Sequence, residues 1–448
     1  MIIEKFLEIA DKKTLKNAFI FSKNNCLIYK KYQDVKDDMF KMVNYLKTLN
    51  LENEEVLLFC LPCYDFYITL LASLYLKITI VVIDSFKDQE NFQKMFQKTQ
   101  CKAVFVDSLT TMAVSFYPFL KHLKKVKITN YLNFSNSPSL MGESNKKVLI
   151  TFTSGTTGDF KRIERSLDDL EKQFELVSKT IDMPEDNLVV LSLLPIYVLA
   201  NLVLGVTSYL IKGKMTNSKI KKEIKKMATA KVNAIAASVS KYLLIKEPLP
   251  FIKKAYTGGS LISLKDAYRI KRILPNAAFT YVYGSSETVL IAATSLDEYI
   301  NDLKKNTICV GKIVPGLLVE INYLNDEAGE IITKGEVVLS KNEYHNTGDF
   351  GYIKDNKVYL LGRTRITLPS SKIYGYKIEN EIMNSFPKIK KVCYLYYQTH
   401  HLFVEGKVDL KELKTKYPEF VIHKMKKIPM DLRHNYKTNI NSLIKILK

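Results

Sequence analysis

A run of hydroxyls and glycines, Thr153-Ser154-Gly155-Thr156-Thr157-Gly158, follows directly on the apolar stretch 148–152, with Lys161 three residues further on. Glycines let a backbone approach a phosphate closely, hydroxyl and amide groups donate to its oxygens, and a lysine adds positive charge. The pattern predicts a phosphate cradle at the end of a strand. The plainer alternative is a polar turn ahead of a charged helix expected over 164–180. An ordinary P-loop is excluded, because Phe160 and Arg162 stand where its second glycine and its Ser/Thr belong. Further along, Gly258-Gly259-Ser260, Tyr283-Gly284-Ser285-Ser286-Glu287, Thr347-Gly348-Asp349 and Gly362-Arg363 each set polar or charged groups beside glycine. Singly, each reads as a glycine turn. Cys60-Leu61-Pro62-Cys63 is the one C-x-x-C pair among six cysteines, and a zinc site would need a second pair. These thiols read as reduced core residues of a cytosolic protein.

The elements that must carry these residues follow α/β grammar. Short β-rich apolar runs at 55–60, 78–83 and 103–106 alternate with helix-like stretches at 66–76 and 92–98, and the rhythm resumes at 148–152 and 188–194. A mostly parallel sheet is expected, with ligands at the carboxyl ends of its strands. The runs ending at Gly258 and Gly284 each stop at glycine, as strands do on entering a ligand-bearing loop. From about residue 310 the pattern turns to alternating strands with turn signals at 325–329 and 354–357. After Gly362-Arg363 comes a smaller pattern of its own: 378–386, 392–397, 402–408, and a terminal helix beyond Asn439. The segment 189–211 is uncharged and long enough to cross a bilayer. Ser192, Pro195, Asn201 and Ser208 interrupt it, so a buried strand followed by a buried helix is expected and no transmembrane span.

With its motifs in this order the sequence resembles the adenylate-forming superfamily of acyl-CoA synthetases, nonribosomal adenylation domains and luciferases. That family's phosphate loop reads T-S-G-[ST]-T-G-x-P-K-G, matched at 153–158 and Lys161 and departed from at Phe160 and Arg162. The resemblance implies ATP and Mg2+ as partners of this loop. It implies that Tyr283 borders adenine, with Gly284, Ser285 and Ser286 beside it, and that Glu287 and Thr153 hold the magnesium, whose hardness suits shared oxygen ligands. Gly258, Gly259 and Ser260 match the turn along the adenine. Asp349 matches the aspartate that accepts the ribose hydroxyls, and Arg363 the arginine beside it. Lys437, in Asp431-Leu-Arg-His-Asn-Tyr-Lys437, matches the catalytic lysine that meets the carboxylate and the α-phosphate, with Tyr436 where glycine is usual. A further departure is Val198, where the family carries histidine, and another is Arg365 at the hinge. The implied fold is an N-terminal adenylation core over 1–363, β-rich over 310–363, followed by a mobile α+β C-terminal lid over 364–448.

Composition adds bounds. The chain has 448 residues and a net charge of +21, from 67 Lys plus Arg against 46 Asp plus Glu. Such charge favours anionic partners, but the lysines are spread along the chain with no Arg-rich aromatic stripe, so specific nucleic-acid binding is not expected. The N-terminus lacks the basic start of a signal peptide, which leaves a cytoplasmic enzyme as the expectation. The reaction the resemblance implies is activation of a carboxylic acid, fatty or aryl from the apolar residues around 194–205 and 291–294, as an acyl-adenylate. Transfer to a thiol of CoA or of an acyl carrier protein's phosphopantetheine then follows. The Arg-His-Asn-x-Lys ending also resembles fatty acid ligases and the β-lactone synthetases of olefin biosynthesis, which leaves internal closure of a β-hydroxy acid as one alternative. A non-catalytic nucleotide- or acyl-binding protein is the other.

Overall fold

The computed structural model describes residues 2–83, 88–142, 147–154, 160–181, 187–213, 215–340, 343–430 and 436–448. The chain forms two compact units, Met1–Ala237 with Phe251–Lys254, and Ser238–Pro250 with Ala255–Lys448.

The first unit holds a six-stranded sheet. Its order is Lys124–Lys127, Cys101–Val106, Glu55–Phe59, Thr79–Val81, Leu149–Ser154 and Phe160–Arg165, parallel throughout except for the last pair. The strand Glu55–Phe59 is buried along its whole length, as expected of an inner strand covered on both faces. The helix Tyr64–Tyr75 has almost no polar face and is correspondingly buried against the helix Tyr32–Lys47. A second group of strands, Ala234–Ala236, Val189–Ser192, Thr207–Leu210 and Asn17–Lys23, runs parallel, with Cys26–Lys31 antiparallel at its edge. The uncharged segment 189–211 resolves into Val189–Ser192, the helix Pro195–Val203 and Thr207–Leu210. Among the described residues no helix is long and apolar enough to cross a membrane.

The helix expected from residue 164 begins instead at Leu167. Residues 160–165 form a strand, pairing Thr153 with Lys161 and Phe152 with Arg162. Ser166 and Asp169 set the boundary. The Ser166 N–H and Oγ donate to Asp169 Oδ2 at 2.8 and 2.7 Å, and the Asp169 N–H donates back to Ser166 Oγ at 3.1 Å. This reciprocal cap starts a helix at the next residue.

Arg162 explains why the strand holds. Its guanidinium donates to Glu55 Oε1 at 2.6 Å and to Oε2 at 3.2 Å, and to the Lys98 carbonyl at 2.6 Å. The Glu55 side chain is only 6% exposed and has Lys147 Nζ at 3.1 Å. Burial alone would raise this carboxyl, but Arg162, the Gln100 amide and Lys147 outweigh it and hold it at about 2. Phe160 packs at the edge of the neighbouring apolar core. Both departures from the family's phosphate loop are therefore structural anchors of the hairpin.

The second unit is mostly antiparallel. Lys254–Gly258, Ala278–Tyr283, Ala292–Ser295, Cys309–Ile313, Lys357–Arg363, His345–Lys354, Gly329–Lys334 and Leu318–Tyr323 lie in that order. The expected hairpin turn is Asp355-Asn356, at φ 50° and 56°, the left-handed pair that a tight two-residue connection requires and that Asp and Asn tolerate. A separate sheet of Ile389–Tyr397, Thr399–Gly406 and Val421–Met425 carries apolar clusters of its own, one around Tyr394 and Leu402, another around Leu395 and Phe403. Asn439 caps the terminal helix Ile440–Leu447, accepting from the Ser442 N–H at 3.1 Å. The mixed α/β class, with large sheets and a small C-terminal sheet, matches the expectation.

Arg162→Met should lower the unfolding free energy by about 2 kcal/mol at neutral pH, since it strands a buried carboxylate that Lys147 only partly compensates. The stabilisation from Glu55 is fully present above its ordinary value of 4.5 and is lost as pH falls through about 2. Urea titrations at neutral pH and near pH 3 should therefore show the variant losing less stability on acidification than the parent chain, because its Glu55 lacks the guanidinium that holds the carboxyl down; equal losses would contradict the account.

Candidate active site

Gly258 and Gly284 each have a steric reason. A Cβ on Gly258 would lie 2.6 Å from both Val282 Cγ2 and the Val282 carbonyl oxygen, and one on Gly284 would run into the Val289 carbonyl. Backbone-to-backbone contact of this kind admits no side chain. Gly259 differs: its φ is +83° and a Cβ there would meet nothing within 4 Å, so its backbone borders open space. That space is a cavity of about 350 Å³, inside the usual range for small-molecule sites of roughly 300–1,000 Å³.

Residues from three strands converge on it. Tyr283 ends Ala278–Tyr283, Asp349 lies within His345–Lys354, and Arg363 ends Lys357–Arg363, directly across from Asp349 in the ladder. The Tyr283 hydroxyl donates to Asp349 Oδ2 at 2.8 Å, and Arg363 Nη1 lies 3.1 Å from Asp349 Oδ1. Burial pushes the Tyr283 phenol well above its usual range, and the Asp349 carboxylate pushes it further. The same carboxylate raises the Arg363 guanidinium. Gly259, Ser260, Tyr283, Gly284, Asp349, Arg363 and Lys437 all line this cavity. Six positions named from separate motifs in the core, and the lysine near the C-terminus, thus share one wall.

Glu287 and Ser285 lie on the loop beyond Gly284. His345 Nε2 is 3.7 Å from Glu287 Oε2 and 3.4 Å from Ser285 Oγ. Ser285 Oγ also accepts from the Thr288 N–H at 3.1 Å, which closes the turn. Thr153 and Lys161 belong to the first unit, where they are cross-strand partners next to the last pair of the ladder, Ser154 with Phe160. Gly155, Thr156, Thr157 and Gly158 lie outside the described residues, as does the side chain of Ser154. Val198, where histidine is usual, is fully buried in the first unit's apolar core.

The sequence did not single out three further wall residues, Tyr376, Glu379 and Lys391, and a fourth, Tyr436, stood out for another reason. Tyr376 and Glu379 sit on the helix Gly375–Ser385. Burial pushes the Glu379 carboxyl up to about 7 although it accepts the Tyr394 N–H at 2.8 Å. Desolvation lowers the Lys391 ammonium, which donates to the Tyr436 carbonyl at 2.9 Å. Lys391 is one of several lysines within 388–391, and nothing in its spacing marks it. Tyr436 was legible only as a departure.

A fold of this kind, with a carboxylate held between a tyrosine and an arginine beside a glycine-walled cavity, suits a nucleotide. The family model described as AMP-binding enzyme matches residues 9–343, and the chain belongs to that family. Among curated relatives, a protein of Staphylococcus epidermidis named as a long chain fatty acid-CoA ligase is 26% identical over 281 residues, 57% of this chain and 59% of that one. The D-alanine–D-alanyl carrier protein ligase of Streptococcus pneumoniae is 26% identical over 399 residues, 78% of this chain and 75% of the relative. Among solved structures, the O-succinylbenzoate coenzyme A synthetase of Bacillus subtilis in complex with ATP and magnesium superposes with a TM-score of 0.79. It is 15% identical over 97% of this chain and 98% of that one, a likeness of fold.

Asp349→Ala removes the acceptor of both Tyr283 and Arg363. Calorimetric titration with AMP should show binding weakened by about ten- to a hundredfold, the cost of losing a charge-assisted hydrogen bond and leaving its partners unpaired. Undiminished affinity would remove Asp349 from the nucleotide site.

Proposed function

We propose that this chain uses ATP to activate a carboxylic acid as an acyl-adenylate, with release of pyrophosphate, and then passes the acyl group to a thiol. The observation that carries the reading is the convergence of Tyr283, Asp349, Arg363 and Lys437 on one cavity. Asp349 offers a fixed carboxylate to the two ribose hydroxyls, and the flat Gly258-Gly259 backbone with the Tyr283 ring makes the slot for adenine. Lys437 supplies the cation on the same wall. Charge placed where it builds up during attack at phosphorus is the main thing such chemistry needs.

The substrate carboxylate attacks the α-phosphorus in line. The bond to the bridging oxygen breaks, pyrophosphate leaves with the electron pair, and Lys437 offsets the charge on the nonbridging oxygens. Thr153 and Lys161 serve the phosphates through a hydroxyl and an ammonium. The Glu287 carboxylate fits magnesium, a hard cation usually held by one or two carboxylates together with substrate phosphates. Bound there, the metal would neutralise the departing pyrophosphate. The names of the relatives, a fatty acid-CoA ligase and a carrier protein ligase, support a thiol acceptor, either CoA or a carrier protein's phosphopantetheine. A fatty or aryl acid is the substrate class we assign. The division at 363/364, with 364–448 as a lid, belongs to this reading, as does a cytoplasmic location, which suits buried, unpaired thiols at Cys60, Cys63, Cys101, Cys309 and Cys393.

Acid-dependent exchange of labelled pyrophosphate into ATP tests the first step across fatty, aryl, β-hydroxy and amino acids. Exchange should appear with at least one class and fall by about a thousandfold in Lys437→Ala, the loss of one well-aimed charge. A folded protein that exchanges with none of them defeats the reading. Mass spectrometry of products with and without CoA or a pantetheinylated carrier then identifies the acceptor.

A further inference from the structure

Tyr436 is tied down at both ends. Its hydroxyl donates to Asp266 Oδ2 at 2.6 Å, and Asp266 is fixed in turn by Ser263, whose Oγ donates to the same oxygen at 2.9 Å. Ser263 caps the helix Leu264–Ile273 and accepts the Asp266 N–H at 3.1 Å, so the acceptor belongs to a rigid helix start. At the other end the Tyr436 carbonyl accepts from Lys391 Nζ at 2.9 Å, and that ammonium lies 5.9 Å from the centre of the Tyr436 ring. Below this point the segment is closed by the bridge between Met430 and Thr438 and by the Asn439 N–H donating to the Pro429 carbonyl at 2.9 Å. The residue between these ties is Lys437. A lysine side chain has several free torsions and about 2 kcal/mol of rotamer entropy, so its aim depends on a fixed backbone.

We infer that Tyr436 is a positioning residue for Lys437: the Tyr436–Asp266 hydrogen bond and the Lys391–Tyr436 contact together hold the backbone from which Lys437 reaches into the cavity. The inference rests on the proposed adenylation role of Lys437. A tyrosine at this position replaces conformational freedom by a side-chain anchor, and the anchor partner Asp266 is on the cavity wall itself. The latch and the nucleotide site thereby share one rigid surface.

The test is a double-mutant cycle read by acid-dependent pyrophosphate exchange. Tyr436→Phe keeps the ring and deletes the hydroxyl, and should lower kcat about ten-fold with KM for ATP nearly unchanged, the loss of one hydrogen bond to a charged group felt at the transition state. In a Lys437→Ala background the same change should cost less than about two-fold, because a residue that acts through Lys437 has nothing left to aim. Asp266→Asn retains an oxygen acceptor and should keep most of the rate. An equal loss in both backgrounds would mean a general structural role and overturn the inference, as would a Tyr436→Phe enzyme with parental kcat. If the parent chain exchanges with no acid, the adenylation reading fails first. Amide hydrogen exchange of the peptide holding residues 436–440 then judges the latch alone: several-fold faster exchange in Tyr436→Phe supports it, and an unchanged rate refutes it.

Discussion

The carboxylate of Asp349 is the point on which the second unit's site depends. It bonds both to Tyr283, which ends the strand Ala278–Tyr283, and to Arg363, which ends the strand paired with its own. Because Asp349 and Arg363 are partners in the ladder, their ion pair also fixes the register of the hairpin turned by Asp355-Asn356. An unpaired carboxylate at 8% exposure would be costly, and so would an arginine facing Tyr376 without it. The pair is thus both a structural tie and a polar surface left facing the cavity. The glycines then act by what they lack: at 258 and 284 the neighbouring backbone leaves no room for a side chain, so the wall can be flat.

Most of the architecture was legible because it is written in local patterns. The parallel rhythm of the first unit, the strand-then-helix reading of 189–211, the Asp355-Asn356 hairpin and the terminal helix beyond Asn439 each rest on short-range chemistry. The helix boundary near 164 was misplaced for an equally local reason. Charge at 164 and 165 looks helical until Ser166 and Asp169 are paired as a cap, and Arg165 is then seen to be buried beside Gln173 rather than solvated.

What could not be read was anything decided by a distant partner. Phe160 and Arg162 look like decay of a phosphate loop in one dimension, yet Arg162 answers Glu55 more than a hundred residues earlier. Val198 looks like a lost histidine and is a core residue. Tyr436 looks like a lost glycine and finds Asp266. Glu379 and Lys391 carry no spacing signal at all, since what shifts them is their burial in the folded chain. Motif matching finds the residues that point toward the ligand; packing decides those that hold them there.

The Glu55–Arg162 pair has a consequence for how this chain can change. Replacing both partners of a buried ion pair by apolar residues is often tolerated, whereas replacing one is not. Restoring glycine at 162, the residue usual for the phosphate loop, would leave Glu55 buried with Lys147 and the Gln100 amide to answer its charge. The path back to the common loop therefore runs through position 55 first. The two sites are entrenched together, and a substitution harmless in a relative becomes conditional here on a residue at the far end of the sheet's sequence.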